Sequence, residues 1–247
     1  GVGILVQPFT YQYLRSETLQ NFDGIAIDNG MFTKAGRENF SWPAYEKMVK
    51  VALAQEKREV LRKLHFFTVP DVPFDWEATK KKFDSHAKEV GRLRNHGAPV
   101  AICIQNGATV DNVPFSDVDV IFIGGNDEYK VGKEAQAIVK KAHNMGKQVH
   151  MGRVNNTKRL NTASEWKTST ADGTYIMHEL GKALHEIERT HPQRRGESSP
   201  QYAERLKRLL HAEHMPGDLH PDATGDHVTE PEIVSNFVNF VVDNQYN

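Results

Sequence analysis

The sequence predicts a TIM-like (β/α)8 barrel, closed regularly or irregularly, with a C-terminal helical appendage. Two observations lead to this fold class. Short runs rich in β-branched residues alternate with long amphipathic stretches, and seven or eight such units fit into 247 residues. Alternation of this kind indicates parallel strands joined by helices. The number of units favours a barrel over an open doubly wound sheet, which periodicity alone does not exclude.

Seven strands are predicted from short apolar runs bounded by turn residues. They cover residues 1–8, 23–28, 65–70, 99–105, 118–124, 148–153 and 168–172. An eighth strand has no clear candidate: it lies before Gly1, or the barrel closes irregularly. Helices are predicted over 10–20, 43–64, 75–95, 127–146, 155–167 and 177–191. In the third, apolar residues recur every three or four positions from Phe83 to Leu93, as in a helix packed outside a sheet.

The chain divides after residue 191, where its composition changes. Residues 1–191 are predicted to form the catalytic barrel domain, and residues 192–247 a polar linker followed by helices packed on the barrel. In this tail, YAERLKRLLHAEH and EPEIVSNFVNFVVDNQ have the pattern of amphipathic helices. We expect an appendage rather than a second domain.

The composition is typical of a soluble globular protein, with 38% hydrophobic residues and a formal net charge of −1. No apolar run approaches the roughly 18 to 20 residues that span a membrane, and the N-terminus lacks the pattern of a signal peptide. We therefore expect a cytoplasmic protein without a membrane partner. The single cysteine, Cys103, excludes an intrachain disulfide and a cysteine-rich zinc site. Its place in an apolar run predicts a buried, inert thiol.

Polar residues and glycines follow six of the predicted strands. They are Asp28-Asn29-Gly30, Asp71, Gln105-Asn106-Gly107, Gly124-Gly125-Asn126, Gly152-Arg153 and Asp172-Gly173. Each one alone is consistent with a helix cap or a turn. The carboxyl ends of barrel strands converge on one face, however, and that face carries the active site in such barrels. The three acids are therefore predicted to share one pocket.

Two carboxylates in such a pocket can divide the work of glycoside chemistry. One attacks an electrophilic sugar carbon, and the other moves a proton to or from the leaving group. A third acid with an amide, Asp71 with Gln105, matches the donor edge and the carbonyl of a purine. Glycines such as Gly124 and Gly125 would let a planar ligand approach the backbone.

Several of these segments resemble motifs of the tRNA-guanine transglycosylase family. IAIDNGMF is similar to its D-S-G-G-F element, VPDVPFD to its base-binding aspartate segment, CIQNG to its Q-G strand end and FIGGN to its I-G-G loop. The run VHMGRVNNTKRLNTASEWKTSTADGTY most resembles the DpdA-type 7-deazaguanine DNA transglycosylases of phages and bacteria. The motifs stand in family order over roughly residues 23–175.

The resemblance implies a nucleophile at Asp172, which attacks C1′ of a guanosine, and a proton-transfer residue at Asp28. The residues that it places around the exchanged purine are Asp71, Gln105, Gly124 and Gly125. The implied function is replacement of guanine in DNA by a 7-deazaguanine such as preQ0 through a covalent aspartyl-sugar ester. Free 7-deazaguanine base is the second substrate, and no cofactor is needed.

The sequence departs from the tRNA enzymes in two places, and the first departure favours DNA over tRNA as the substrate. Those enzymes carry a cysteine-rich zinc element that supports tRNA binding, whereas this chain has one cysteine. The P-T-R that follows their nucleophile is replaced by Gly173-Thr174-Tyr175. We expect no bound metal. The alternative is a histidine-based site at His211 and His214, which lie one turn apart on a predicted helix.

A nucleotide inside a duplex must be flipped out or single-stranded to expose C1′. The basic residues expected to hold the phosphate backbone, each also consistent with a solvated surface, are Arg153, Lys158, Arg159, Arg194 and Arg195. Three other functions stay open: a tRNA-guanine transglycosylase, a catalytically silent nucleic-acid-binding or accessory subunit, and a carbohydrate-active barrel. A homodimer is an alternative to a monomer, because members of the family often dimerise. A phage origin, inferred from the family branch alone, would place the protein in the host cytoplasm.

Overall fold

The computed structural model describes residues 2–8, 24–56, 63–173 and 240–242. Within these ranges eight strands form a closed barrel in chain order. They are β1 Val2–Val6, β2 Gly24–Ile27, β3 Lys63–Thr68, β4 Val100–Ile104, β5 Val120–Ile123, β6 Gln148–Met151, β7 Thr170–Ala171 and β8 Phe240–Val242. Strands β1 to β7 are parallel, and each pairs with the next. The predicted TIM-like barrel is confirmed.

All seven predicted strands are present in the barrel. Six lie inside their predicted ranges, and β3 begins at Lys63, two residues before the predicted range of 65–70. Turn residues and short apolar runs therefore locate the parallel strands well.

The eighth strand comes from the far end of the chain and closes the barrel. Phe240–Val242 pairs antiparallel with both β1 and β7, and Val241 lies opposite Val2 on one side and Ala171 on the other. The prediction of a helix over residues 230–245 is wrong for these three residues. Pairing with β8 satisfies backbone groups that β1 and β7 would otherwise expose at their edges. The predicted boundary after residue 191 and the rest of the tail lie outside the described residues.

Seven α-helices lie in the described ranges. They are α1 Lys34–Asn39, α2 Trp42–Glu56, α3 Trp76–Ser85, α4 Ala87–Asn95, α5 Asp127–Lys130, α6 Lys133–Asn144 and α7 Thr157–Glu165. A short 3-10 turn, Phe115–Asp117, precedes β5. Among these helices, none has the length and apolar character that crossing a bilayer requires.

Four of the predicted helices have different bounds in the structure, and the one expected over 155–167 is shortened to Thr157–Glu165. The helix expected over 43–64 is described as far as Glu56, and residues 63–64 belong to β3. The helix expected over 75–95 is divided at His86, and the helix expected over 127–146 at residues 131–132. The helices expected over 10–20 and 177–191 lie outside the described residues.

The strands bury two different faces. Outward residues such as Ile25, Ile27 and Phe67 pack with the helices in the main core. A second, smaller cluster fills the barrel interior, and its buried members are Leu5, Ala26, Phe66, Ala101 and Val120. Side chains alternate along a strand with a period of two, so this inner face continues towards the carboxyl ends of the strands. There it ends in Gln7, Asp28, Thr68, Gln105, Gly124, Gly152 and Asp172.

Candidate active site

Asp28 follows β2 and is surrounded by three hydrogen-bond donors. Its Oδ2 accepts from Nε2 of Gln7 at 3.0 Å and from the N–H of Gly30 at 3.3 Å. Its Oδ1 accepts from Oγ1 of Thr68 at 3.3 Å. Burial, and then the negative charges of the other two acids at this end of the barrel, raise the pKa of Asp28 to about 7. A carboxyl group with this pKa can donate or accept a proton near neutral pH.

Asp71 lies in a buried network with Asn29 and Gln105. Its Oδ1 accepts from Nδ2 of Asn29 at 3.0 Å, and its Oδ2 accepts from Nε2 of Gln105 at 2.6 Å. Each amide is fixed in turn: Asn29 also donates to the carbonyl of Val69 at 2.9 Å, and Oε1 of Gln105 accepts from the N–H of Phe74 at 2.9 Å. Burial raises the pKa of Asp71, although the hydrogen bonds from Asn29 and Gln105 lower it in part. A carboxylate has further acceptor capacity on each oxygen, so Asp71 can still accept from a ligand.

Gly124 and Gly125 border this network. The N–H of Gly125 donates to Oε1 of Gln105 at 2.8 Å. A Cβ on Gly124 would lie 2.5 Å from Sγ of Cys103 and 2.9 Å from Nε2 of Gln105. The absence of a side chain at Gly124 therefore makes room for Gln105, and contact of either glycine with a purine stays a prediction.

Cys103 is buried, as the sequence predicts. Burial, followed by the charges of Asp71 and Asp28, raises the pKa of its thiol well above the usual range. Since the thiolate is the reactive form of cysteine, this environment opposes a nucleophilic role for Cys103.

Asp172 follows β7 and is held through its side chain and its backbone. Its Oδ1 lies 2.8 Å from Nε2 of His150, and its Oδ2 accepts from the N–H of Arg153 at 3.1 Å. Its carbonyl accepts from the N–H of Val154 at 2.5 Å, and its own N–H donates to the carbonyl of Met151 at 3.1 Å. These contacts all come from β6 and the residues that follow it, so the β6–β7 pair determines where the carboxylate lies.

A buried amine stands near Asp172. Lys130, the last residue of α5, is 2% exposed, and its Nζ donates to the carbonyl of Gly152 at 2.7 Å. Burial lowers the pKa of Lys130 to about 8, and the negative charge of Asp172 acts in the opposite direction. Lys130 thus brings a positive charge to the side of the site that holds Asp172.

The structure brings Asp28, Asp71 and Asp172 to the same end of the barrel. The charges of Asp71 and Asp172 both act on Asp28. Other polar residues after strands serve the loops instead. Asn126 caps α5 by accepting from the N–H of Tyr129 at 2.9 Å, and a cap is the structural role expected of asparagine there.

Two exposed aromatic rings and one arginine form the rim of this site. Phe32 follows β2 and Phe74 follows β3; they are 48% and 50% exposed, and their ring centroids lie 6.1 Å apart in an edge-to-face arrangement. The guanidinium carbon of Arg153 lies 4.1 Å from the centroid of Phe32. Phe74 and Arg153 have φ angles of 67° and 57°, which bulky side chains rarely adopt. Backbone strain of this kind clusters at ligand-binding and active sites.

The basic residues predicted to meet phosphate differ in exposure. Arg153 and Lys158 are exposed. Arg159 is only 8% exposed; its Nη1 donates to the carbonyl of Arg153 at 2.8 Å, and its Nη2 pairs with Asp127. Arg159 therefore holds the loop that carries Arg153. The predicted residues that lie outside the described ranges are Arg194, Arg195, His211 and His214, and within those ranges no three potential metal ligands cluster.

Sequence reasoning missed His150, Lys130, Phe32 and Phe74. A signal for His150 was present, because it stands two residues before Gly152 on the inner face of β6 and so points into the barrel. Nothing local marks Lys130, whose burial depends on how α5 packs. The two phenylalanines are exposed loop residues, and the sequence has no pattern that brings them together.

No family model matches the sequence, and a search of curated proteins finds no match. Two solved structures are similar at 12% identity. One is a mandelate racemase/muconate lactonizing enzyme from Roseiflexus sp., with a TM-score of 0.37 over 71% of this chain and 55% of that chain. The other is a xylose isomerase-like TIM barrel/4-hydroxyphenylpyruvate dioxygenase fusion protein, with a TM-score of 0.31 over 67% of this chain and 25% of that chain. This chain thus spans about half the length of the first protein and a quarter of the second.

Proposed function

We propose that the chain is a base-exchange glycosyltransferase that replaces guanine in DNA by a 7-deazaguanine through a covalent aspartyl-sugar intermediate. The observation that carries this proposal is the pair of acids in different environments. The Asp172 carboxylate lies between an imidazole nitrogen and a backbone N–H, whereas the pKa of Asp28 is about 7. Two carboxyl groups whose environments differ in this way take different roles in acid–base and nucleophilic chemistry.

In the first half of the proposed reaction, the carboxylate of Asp172 attacks C1′ of a deoxyguanosine in DNA. The C1′–N9 bond breaks, and guanine leaves with the bonding electrons. Protonated Asp28 gives its proton to the leaving base, so that a neutral guanine departs and an ester joins Asp172 to the sugar.

In the second half, a free 7-deazaguanine takes the place of guanine. Asp28, now a carboxylate, removes the proton from its N9 as that atom attacks C1′. The ester bond breaks, and its electrons return to Asp172 as a carboxylate. Asp28 is again protonated, so each cycle restores both acids.

Asp71 is the residue best suited to bind the donor edge of the purine. It is buried and already oriented by Asn29 and Gln105, which fix one N–H on each of its oxygens. Gln105 acts in this proposal by positioning Asp71, because its own amide atoms are engaged within the protein. Phe32 and Phe74 offer exposed ring surfaces on which a base can stack.

Arg153 and Lys158 are the described residues that we assign to the phosphate backbone, and Arg194 and Arg195 remain predicted contacts in the tail. Backbone contacts of this kind release counterions, so affinity for DNA should fall steeply with added salt. Arg153 is exposed and can therefore contact phosphate, and its guanidinium also lies against the Phe32 ring at the rim of the site.

A trapping experiment tests the proposal. The protein is incubated with a guanine-containing oligonucleotide, and a covalent adduct is sought by denaturing electrophoresis and mass spectrometry. We expect an adduct that Asp172→Asn cannot form. Asp117→Asn is the matched control, because Asp117 is exposed and lies in the turn before β5, away from the carboxyl ends of the strands. An adduct that persists in Asp172→Asn would remove this residue from the role of nucleophile.

Exchange of labelled guanine in DNA and in tRNA, run in parallel, separates the proposal from two of the alternatives. Incorporation into DNA alone supports the proposal. Incorporation into tRNA alone identifies a tRNA-guanine transglycosylase. Salt-sensitive binding of DNA without adduct or exchange identifies a silent binding subunit.

A further inference from the structure

His150 lies on β6 inside the barrel and is fully buried, with 0% of its surface exposed. Its ring centroid lies 4.9 Å from that of Phe66 and 4.4 Å from that of Phe122. A polar ring among aromatic side chains is costly to bury unless its nitrogens form hydrogen bonds. The partners of those nitrogens therefore indicate why a histidine is present.

Both partners come from β7. Nδ1 of His150 lies 2.7 Å from Oγ1 of Thr170, and Nε2 lies 2.8 Å from Oδ1 of Asp172. Thr170 and Asp172 are two residues apart, so they project from the same face of the strand. The pairing of His150 with Thr170 in the sheet register brings the imidazole level with both.

The chemistry of the three groups sets the direction of this chain of hydrogen bonds. An ionised carboxylate only accepts, so Nε2 must carry a hydrogen to bond Asp172. In a neutral imidazole Nδ1 is then an acceptor, and the hydroxyl of Thr170 can donate to it. With a neutral His150, the hydroxyl of Thr170 therefore donates to Nδ1, and the N–H at Nε2 donates to Asp172.

We propose that His150 is a positioning residue for Asp172, and that Thr170 selects the tautomer of His150 that does this. His150 ties Oδ1 to the barrel interior, which leaves Oδ2, beside the N–H of Arg153, as the oxygen that reacts. The role rests on the proposed function, because it serves the attack by Asp172. Two other charged groups interact electrostatically with Asp172, namely Asp28 after β2 and Lys130 on α5, and Arg153 contacts it through its backbone N–H. These groups stay constant when only His150 or Thr170 is changed.

The first test needs no catalytic activity. Nitrogen-15 NMR of histidine-labelled full-length protein reports which ring nitrogen carries hydrogen, and the His150 signals are assigned by their loss in His150→Gln. We expect a hydrogen on Nε2 in the wild type and a changed tautomer population in Thr170→Val. A wild-type ring with no hydrogen on Nε2 would overturn the proposal, whether or not the protein proves to be a transglycosylase.

The second test compares two replacements of His150 in the trapping assay. Gln can place an amide N–H near the position of Nε2, whereas Leu fills space without a donor. We expect His150→Leu to slow adduct formation at saturating oligonucleotide by about 10- to 100-fold, the effect of losing one hydrogen bond to a charged group. His150→Gln should recover most of that loss, and KM for the oligonucleotide should change little in either variant.

Two controls keep this comparison interpretable. His143→Gln is the matched histidine control, because Nε2 of His143 bonds the carbonyl of Trp166 at 2.9 Å on α6, outside the site. Thermal unfolding shows that each variant is folded. Equal rates for His150→Leu and the wild type would overturn the positioning role, and so would equal losses in His150→Leu and His150→Gln. A wild type that forms no adduct would instead contradict the proposed function. The NMR result would still decide which ring nitrogen of His150 carries the hydrogen.

Discussion

The raised pKa of Asp28 predicts a measurable decrease in the free energy of unfolding at neutral pH. The pKa of an ordinary aspartate is 3.8, and that of Asp28 in the folded protein is about 7. Between these values the folded protein binds a proton that the unfolded chain does not bind, so the free energy of unfolding falls as pH rises. The full loss is present above the folded pKa and is on the order of 4 kcal/mol. Burial beside two other acids therefore gives Asp28 a pKa near neutral pH and lowers the stability of the folded protein above that pH.

Asp28→Asn should remove this pH dependence. Asparagine is similar in shape and stays neutral, so the variant should match the wild type near pH 4 and exceed it in free energy of unfolding by several kcal/mol at pH 8. Urea unfolding at a series of pH values measures the difference. Asp117→Asn is again the control, since Asp117 is exposed. The same pH profile in Asp28→Asn and the wild type would show that the ionisation of Asp28 does not limit stability.

Some site residues could be predicted from the sequence because they follow strands. Asp28, Asp71 and Asp172 are all acids placed where an apolar run ends, and the barrel brings such positions together. His150 was not predicted, because it lies within a strand and its role depends on the register with β7. Phe74 was not predicted either, since a positive φ is expected of glycine or asparagine rather than phenylalanine.

At the scale of secondary structure, the helix expected over 75–95 shows where periodicity fails. The apolar spacing continues through the break, with Phe83 in α3 and Val90 and Leu93 in α4 all buried. The chain nevertheless leaves the helical path at His86, which has φ −105° and ψ 12°. A pattern of buried residues therefore predicts which face packs inward but does not reveal a short break between two helices on the same face.

The packing of Phe122, on β5, against the residue that follows β6 requires a glycine at position 152. A Cβ on Gly152 would lie 2.4 Å from Cε1 of Phe122 and 3.4 Å from Oδ1 of Asp172. The Phe122 ring thus occupies the space that a side chain at position 152 would need. The Phe122 ring also packs against His150, and His150 in turn contacts Asp172, the candidate nucleophile.

Gly152→Ala should destabilise the protein by about 1 to 3 kcal/mol through this clash. Phe122→Leu shortens the opposing side chain, so the double variant should be more stable than the sum of the two single changes predicts. Urea unfolding of the four proteins of this cycle measures the coupling. Additive effects would show that Phe122 does not limit the space at position 152. Gly91→Ala is the control for adding a methyl group without a clash, because nothing lies within 4 Å of a Cβ at Gly91. Gly146→Ala is unsuitable, because Gly146 has φ 67° and any side chain there is strained.

At the scale of the whole molecule, barrel closure joins residues that are far apart in the chain. The alternation of strands and helices predicts the parallel part of the barrel, because each strand needs only its local pattern to be recognised. The last strand is not recognised in this way, because VSNFVNFVV has apolar residues at helical spacing and therefore predicts a helix. Its strand conformation depends on pairing with β1 and β7, which no local pattern records.

Val241→Pro tests this closure. Proline removes a backbone N–H and is poorly tolerated inside a sheet, and Val241 lies between β1 and β7. We expect a loss of about 2 to 4 kcal/mol in the free energy of unfolding and increased light scattering from exposed strand edges. Val241→Thr keeps the N–H and a β-branched side chain, so it is the control for loss of the backbone N–H. Equal stability of the proline variant would show that β8 is not needed to hold the barrel closed.

Because β8 consists of residues 240–242, a ribosome has to reach residue 242 before the first and seventh strands can be bridged. Until then the nascent protein carries an open sheet, with Gln7 after one edge strand and Asp172 after the other. The barrel that carries Gln7 and Asp172 can close only after residue 242 has been made. Fragments that stop before residue 240 should therefore expose unpaired strand edges and aggregate, and they should lack the proposed activity even when they contain every residue of the pocket.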